Sequence, residues 1–439
     1  MRKLNLTLIK RLRGFQMIDS SIQYIQKKIK RYVDLDLLYY SKNGFWIGLQ
    51  QIVMIITGLA LSVVFTRMST QETYGYYQYV LAVLAIISIV SIPGLNSSVI
   101  QSVARGYHGD YNKSVRFSFL WSLIGIPALL IIGLYYYHHN PVLGASFMMS
   151  SIFFPFFYAP NTWNSFLLGQ ARFNLSIKYS LIQSIINTLS IISTILIFPN
   201  NLPLIITVYL FSYSIFNIYW YRRSQRLITN NNIDKESVPY GCFLTKINIL
   251  NIVTNQLDKI LIGVFLTPVD LAVYGVGTAL ASKFYDFFKS LLSMVTVKSP
   301  QKNILKTKNL IFVFIAFTII TTFLYILFPI VIPLLYTTKY SNSISLSQIV
   351  ILFLPVYVLA LLYKSHLVFF LRDKSILIKE SMLLAILRVV TMIPLLIFFK
   401  MIGLAVSVGL QHVIEIILLY YFFSLKKLPS GAPRLKPQL

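Results

Sequence analysis

Nine ionisable residues lie inside stretches that are otherwise apolar enough to cross a bilayer. The bases are Lys246, Lys259, Lys283, Lys289, Lys364 and Arg388, and the acids are Asp258, Asp286 and Glu415. A charge at the membrane centre costs roughly 2.5–3.5 kcal/mol on insertion scales, so each needs a partner or a task. Lys246 and Lys364 stand near the inner surface of their spans and can snorkel to it. Lys283 and Asp286 are three apart on one helix turn and can neutralise each other. His412 stands at the same spacing from Glu415. Lys259, Lys283 and Arg388 are harder to dismiss, because they fall near mid-depth of three different spans.

A polar stripe accompanies them. Asn248, Asn251, Asn255 and Asp258 step by 3, 4 and 3 along one helical face, and Asn43, Gln50 and Thr57 step by 7 in the first span. A plain seam between helices would favour Gly, Ala and Ser over Asn and Asp. The two stripes are therefore expected to face a shared wet cavity. With more bases than acids, its interior suits an anionic cargo such as a pyrophosphate. The candidates for binding that cargo are Lys259, Lys283, Arg388, Asn251, Asn255 and Gln50. Asp258, Asp286 and Glu415 are candidates for ion coupling or for structural ion pairs.

Other chemistries leave no trace. There is no phosphate-binding glycine loop with its lysine, no dinucleotide fingerprint and no His/carboxylate metal signature. A single cysteine, Cys242, excludes internal disulfides and cysteine-based metal clusters. No cofactor and no catalytic constellation are expected. A coupling ion, proton or sodium, stays open.

The elements that must position these residues are helices in lipid. Of 439 residues, 56% are apolar and 12% charged, against about 25% charged in soluble domains. A cytosolic enzyme is excluded. A helix needs about 20 apolar residues to cross the bilayer, and twelve such spans are expected. They lie near 44–66, 78–104, 115–135, 142–169, 177–198, 203–221, 242–266, 271–297, 309–335, 345–370, 376–399 and 402–424. Proline and glycine are expected to punctuate the span ends or kink the interiors, as at Pro93-Gly94, Pro155, Pro160 and Pro355. Of the 39 Lys and Arg, thirty fall on one side of this arrangement, three (Arg67, Lys339, Lys400) on the other and six within spans. The positive-inside rule then puts both termini in the cytoplasm. The net charge of +26 thus reads as membrane anchoring rather than nucleic-acid binding.

Shifting the chain by 200 residues lays Tyr74-Gly75 on Tyr274-Gly275. Ile47, Ile52, Val53, Leu61, Val64 and Phe65 also meet identical residues. A six-plus-six duplication follows, with two lobes that rock about a site between them. The division is a basic amphipathic segment at 1–42, a first lobe at 43–221 and a cytoplasmic linker at 222–241. A second lobe at 242–424 and a cytoplasmic tail at 425–439 complete it. In the first segment Ile18, Ile22, Ile25, Ile29 and Val33 form one apolar face beside Lys27, Lys28, Lys30 and Arg31, a pattern that can lie in the headgroup layer. It holds no apolar core of the kind a cleavable signal needs.

Residues 44–77, GFWIGLQQIVMIITGLALSVVFTRMSTQETYGYY, resemble the opening of the Wzx-type polysaccharide flippases of the MOP (multidrug/oligosaccharidyl-lipid/polysaccharide) superfamily. Asn255–Gly275, NQLDKILIGVFLTPVDLAVYG, resembles the opening of that family's second half, and GLAVSVGLQHVIEIILLYY at 403–421 resembles its last span. The resemblance implies a MATE-like fold in the bacterial inner membrane. It also implies transfer of undecaprenyl-diphosphate-linked oligosaccharide, with membrane lipids, a polymerase and a chain-length regulator as partners. Two other functions compete. A multidrug cation exporter should have an acidic cavity, and a polymerase or ligase needs a sizeable outer loop, whereas the longest here is about ten residues.

Overall fold

The computed structural model describes residues 37–297, 307–366 and 374–425. The amphipathic face from Ile18 to Val33 and the tail beyond 425 lie outside the described residues. Among the described residues every regular element is helical, with no strand. In lipid this is the expected solution, since a helix satisfies all its backbone groups within one segment.

The first half of the chain forms α1 (Leu37–Met68), α2 (Gln71–Ile87), α3 (Gly94–Ala104), α4 (Gly109–Ser122), α5 (Gly125–Tyr137), α6 (Pro141–Tyr158), α7 (Trp163–Gly169), α8 (Phe173–Ile197) and α9 (Leu202–Gln225). The second half forms α10 (Ser237–Phe265), α11 (Pro268–Val297), α12 (Thr307–Tyr336), α13 (Ser343–Leu352), α14 (Leu354–His366) and α15 (Lys374–Leu425). Among the described residues, eight helices are long and apolar enough to cross a membrane, or nine if the bent pair α13 and α14 counts as one. The protein is a multi-pass membrane protein.

The breaks fall largely where proline dictates. Ile92 takes a left-handed conformation (φ 58°) before Pro93 and separates α2 from α3. Pro160 opens a short 3-10 turn between α6 and α7. The pair α13 and α14 bends by 41° just before Pro355. Other breaks have no proline, and one of them reverses the chain. Lys400 interrupts α15 with φ 50°, and the chain doubles back there. An added Cβ on Gly403 would stand 1.9 Å from the Leu395 carbonyl oxygen, so only glycine fits the turn. This reversal brings Glu380 and Glu415, 35 residues apart, onto one lysine ammonium.

The two halves meet along a seam of close backbone approaches. α2 packs on α11 and α3 on α10. Gly75 lies so near Pro268 that an added Cβ would come within 1.8 Å of its carbonyl oxygen. Further along, the Gly94 amide donates to Thr245 Oγ1 at 2.9 Å, and Ser98 Oγ meets Ser237 Oγ at 3.0 Å. At the opposite end Arg67 donates to the carbonyls of Leu334 and Leu335, at the C-terminus of α12. These carbonyls have no partner within their own helix and carry its negative dipole end. The connection between α9 and α10, residues 226–236, is bound to the first half: the Gly109 amide donates to the Asn232 carbonyl at 2.9 Å and Arg105 pairs with Asp234 at 2.6 Å.

Candidate functional site

A cavity of about 450 Å³ opens among the second-half helices, with Gln78 of α2 lining it from the first half. It gathers Lys259 from α10, Lys283 from α11 and Arg388 from α15, three bases, against Asp258 and Asp286. Asn255, Thr278, Ser282 and Gln411 add uncharged donors and acceptors to the wall. All three mid-depth cations foreseen from the sequence therefore line one cavity.

The way each is held follows from its helix. Asn255 and Asp258 are one turn apart on α10, so both face the same space. Asp258 is buried and accepts from Tyr274 Oη at 2.8 Å and from the Lys259 backbone amide at 2.9 Å. Its charge is engaged by these donors. Arg388 is also buried and donates through Nη1 to Asn255 Oδ1 at 2.8 Å. Its Nε has no hydrogen-bond partner among the described residues. A buried guanidinium with an unmet donor is costly unless something else accepts from it. Lys283 leans across the seam, where a Cβ added to Gly58 of α1 would stand 3.6 Å from Nζ. Gly58 is the repeat counterpart of Asp258, so the first half offers no acid where the second half has one.

Several expectations are corrected. Lys283 and Asp286 make no ion pair with each other, because Lys283 is directed toward Gly58 rather than along its own helix. Lys364 does not simply snorkel. Its Nζ donates to Glu380 Oε1 at 3.2 Å and Glu415 Oε1 at 3.0 Å, an ion cluster apart from the cavity lining. Thr57 does not face a shared cavity: its hydroxyl donates to the Val53 carbonyl at 2.9 Å and meets Ser184 Oγ of α8 at 3.3 Å. A threonine that returns its hydroxyl to its own helix needs no water beside it. Neither Gln50 nor Asn251 is among the lining residues.

Other residues were missed. Tyr274 secures Asp258, and Tyr285 and Tyr357 close the wall beside His412. Glu380, fully buried, escaped because it follows Lys379, which reads as a loop cation at the end of its span. Tyrosines in an apolar run give no sign of which one faces a carboxylate.

This charged cavity lies inside a helical membrane protein whose fold has likenesses among solved structures. A multidrug resistance MATE family transporter of the MOP superfamily, in its inward-facing conformation, aligns with TM-score 0.64 at 14% identity, covering 86% of this chain and 96% of that one. The lipid II flippase MurJ, inward closed, aligns with TM-score 0.62 at 15% identity, over 87% and 88%. A MOP superfamily transporter from Pyrococcus furiosus, described as having a binding pocket of reverse polarity, aligns with TM-score 0.56 at 12% identity, over 88% and 97%. The fold is thus that of MOP transporters. No curated protein sequence matches the chain. Residues 64–348 match the polysaccharide biosynthesis protein family, and the chain belongs to that family.

Proposed function

We propose that this protein is a flippase that carries undecaprenyl-diphosphate-linked oligosaccharide repeat units across the bacterial inner membrane. The units would supply O-antigen, capsule or exopolysaccharide synthesis. Family membership supports the polysaccharide context, and the likeness to a lipid II flippase supports a fold able to move a lipid-linked glycan. The observation that carries the reading is the cavity itself, in which Lys259, Lys283 and Arg388 converge and Arg388 keeps an unmet buried donor. A diphosphate supplies acceptor oxygens for that guanidinium and charge for the lysines. The neighbouring amides and hydroxyls suit sugar hydroxyls.

A multidrug exporter of cations is the weaker reading, since a cationic drug would meet three like charges. The Pyrococcus transporter, whose reversed pocket polarity suggests a different function, supports inferring cargo from the sign of the pocket. In the proposed cycle the lobes at 43–221 and 242–424 rock about the seam, with twelve crossings and both termini cytoplasmic. A polymerase and a chain-length regulator would then act on the delivered units.

Deleting the gene tests the function. Surface polysaccharide should disappear while lipid-linked repeat units accumulate in the cytoplasmic leaflet. Surface decoration by single units would instead indicate a polymerase.

The orientation has its own native probe. Cys242, half-buried near the start of α10, should resist a membrane-impermeant maleimide in intact spheroplasts and react once the membrane is opened. Labelling from outside would invert the arrangement.

A further inference from the structure

Beside the cavity, two carboxylates share one ammonium. Lys364 Nζ lies 3.2 Å from Glu380 Oε1 and 3.0 Å from Glu415 Oε1. Glu380 has no exposed side-chain surface and Glu415 has 11%, while the Lys364 side chain is 35% exposed. With both acids ionised, this buried cluster would carry one uncompensated negative charge. Low-dielectric surroundings disfavour that state, and two carboxylates at one site resolve it by keeping a proton between them. Lys364 stands near the end of α14, on the side where the thirty loop cations put the cytoplasm.

His412 bridges this cluster to the cavity. Its Nδ1 is 3.8 Å from Glu415 Oε2, one helical turn away. That atom is buried and has no hydrogen-bond partner among the described residues, and the residue itself lines the cavity. Two tyrosine rings hold the imidazole, Tyr357 at 4.7 Å and Tyr285 at 5.5 Å between centroids. The titratable and charged groups facing it are few. Lys364 and Tyr357 come from α14, Tyr285 and Asp286 from α11, and Glu380 and Glu415 from α15. On α10 the nearby acid, Asp258, is held by Tyr274, and α13 has no ionisable residue.

We propose that Lys364, Glu380 and Glu415 form a proton-binding site, and that His412 passes its proton to the cargo cavity, coupling proton movement to transport. This rests on the reading that the cargo is anionic. In the transfer, the proton held by the carboxylate pair moves onto Glu415, and that O–H bond breaks as an N–H bond forms on His412 Nδ1. The carboxylate left behind pairs with the Lys364 ammonium, and the imidazolium becomes a fourth cation on the cavity wall. An anionic headgroup stabilises the imidazolium and so draws the proton across. With the cavity empty, the proton returns to the carboxylate pair. The proton enters from cytoplasmic water at the exposed edge of Lys364.

The test is infrared difference spectroscopy on the purified full chain in lipid nanodiscs, with inorganic diphosphate as the probe. At neutral pH the protein should show the carbonyl stretch of a buried protonated carboxyl. That band should be lost or shifted in Glu415→Gln and Glu380→Gln, and it should weaken when diphosphate is added. In His412→Asn the band should remain but no longer respond to diphosphate. Monodisperse elution from a sizing column identifies variants that fold. Absence of the band in the unmodified protein overturns the proposal, as does a band that ignores both glutamate substitutions. A band assigned to the pair but unresponsive to diphosphate overturns the coupling. Because the readout is protonation rather than flipping, failure of the flippase reading would appear separately, in the gene-deletion phenotype.

Discussion

Arg388→Gln should lower delivery of lipid-linked repeat units about ten- to a hundredfold while the amount of folded protein stays near normal. The guanidinium is buried, spends one donor on Asn255 Oδ1 and keeps Nε unmet. Glutamine still offers an amide donor to Asn255, which limits the cost to stability. It loses the charged fork, and hydrogen bonds to charged groups are worth about 1.5–3 kcal/mol, or roughly one to two decades in affinity. Lys259→Gln and Lys283→Gln should each cost about tenfold, because these side chains are only half-buried and water screens part of their field. Lys283→Gln should not unfold the protein, since no ion pair to Asp286 is lost. Surface polysaccharide per unit of membrane-extracted protein measures all three. Normal output from all three at normal abundance would sink the basic-cavity mechanism.

Gly75→Ala should cost about 3 kcal/mol or more and lower the thermal midpoint of the purified protein by several degrees. Its added Cβ would fall 1.8 Å from the Pro268 carbonyl oxygen, and the next contact is also backbone, so no side chain can rotate away. α2 and α11 would have to separate, opening the seam between the halves. Gly275→Ala is the internal control. Its Cβ would meet only the Gln78 side chain, at 3.5 Å, which is ordinary van der Waals contact. Little change is expected in fluorescence-monitored thermal unfolding of that variant. Equal midpoints for the two alanine variants would show that the seam at Gly75 relaxes freely.

The contrast between these glycines shows how far the repeat can be trusted. Tyr74-Gly75 and Tyr274-Gly275 are identical in sequence and both lie where α2 meets α11. Yet Gly75 faces the backbone of the helix start at Pro268, while Gly275 faces a flexible glutamine. Identity at matched positions reports common placement in the helix. It does not report what stands opposite, which depends on how the two copies are docked.

The cavity was legible for a related reason. Lys259, Lys283 and Arg388 occur where hydrocarbon forbids an idle charge, so their position along the spans already implied a shared polar interior. The same argument failed for Thr57, whose hydroxyl its own helix can satisfy. It was incomplete for Lys364, because depth alone cannot distinguish an ammonium reaching water from one held by two carboxylates. Those carboxylates come from opposite arms of α15, brought together by the reversal at Lys400.

By itself, then, the sequence determined an all-helical membrane protein and the helix faces carrying its polar groups. Hydropathy over about 20 residues and a 3.6-residue period are local properties, fixed along each segment whatever it packs against. The tertiary structure alone decided which charges are partners. Asp258 with Tyr274, Arg388 with Asn255, and Lys364 with Glu380 and Glu415 are pairings across helices. Such electrostatic and hydrogen-bond energies depend on distances of about 3 Å between segments, and these distances exist only once the helices have packed.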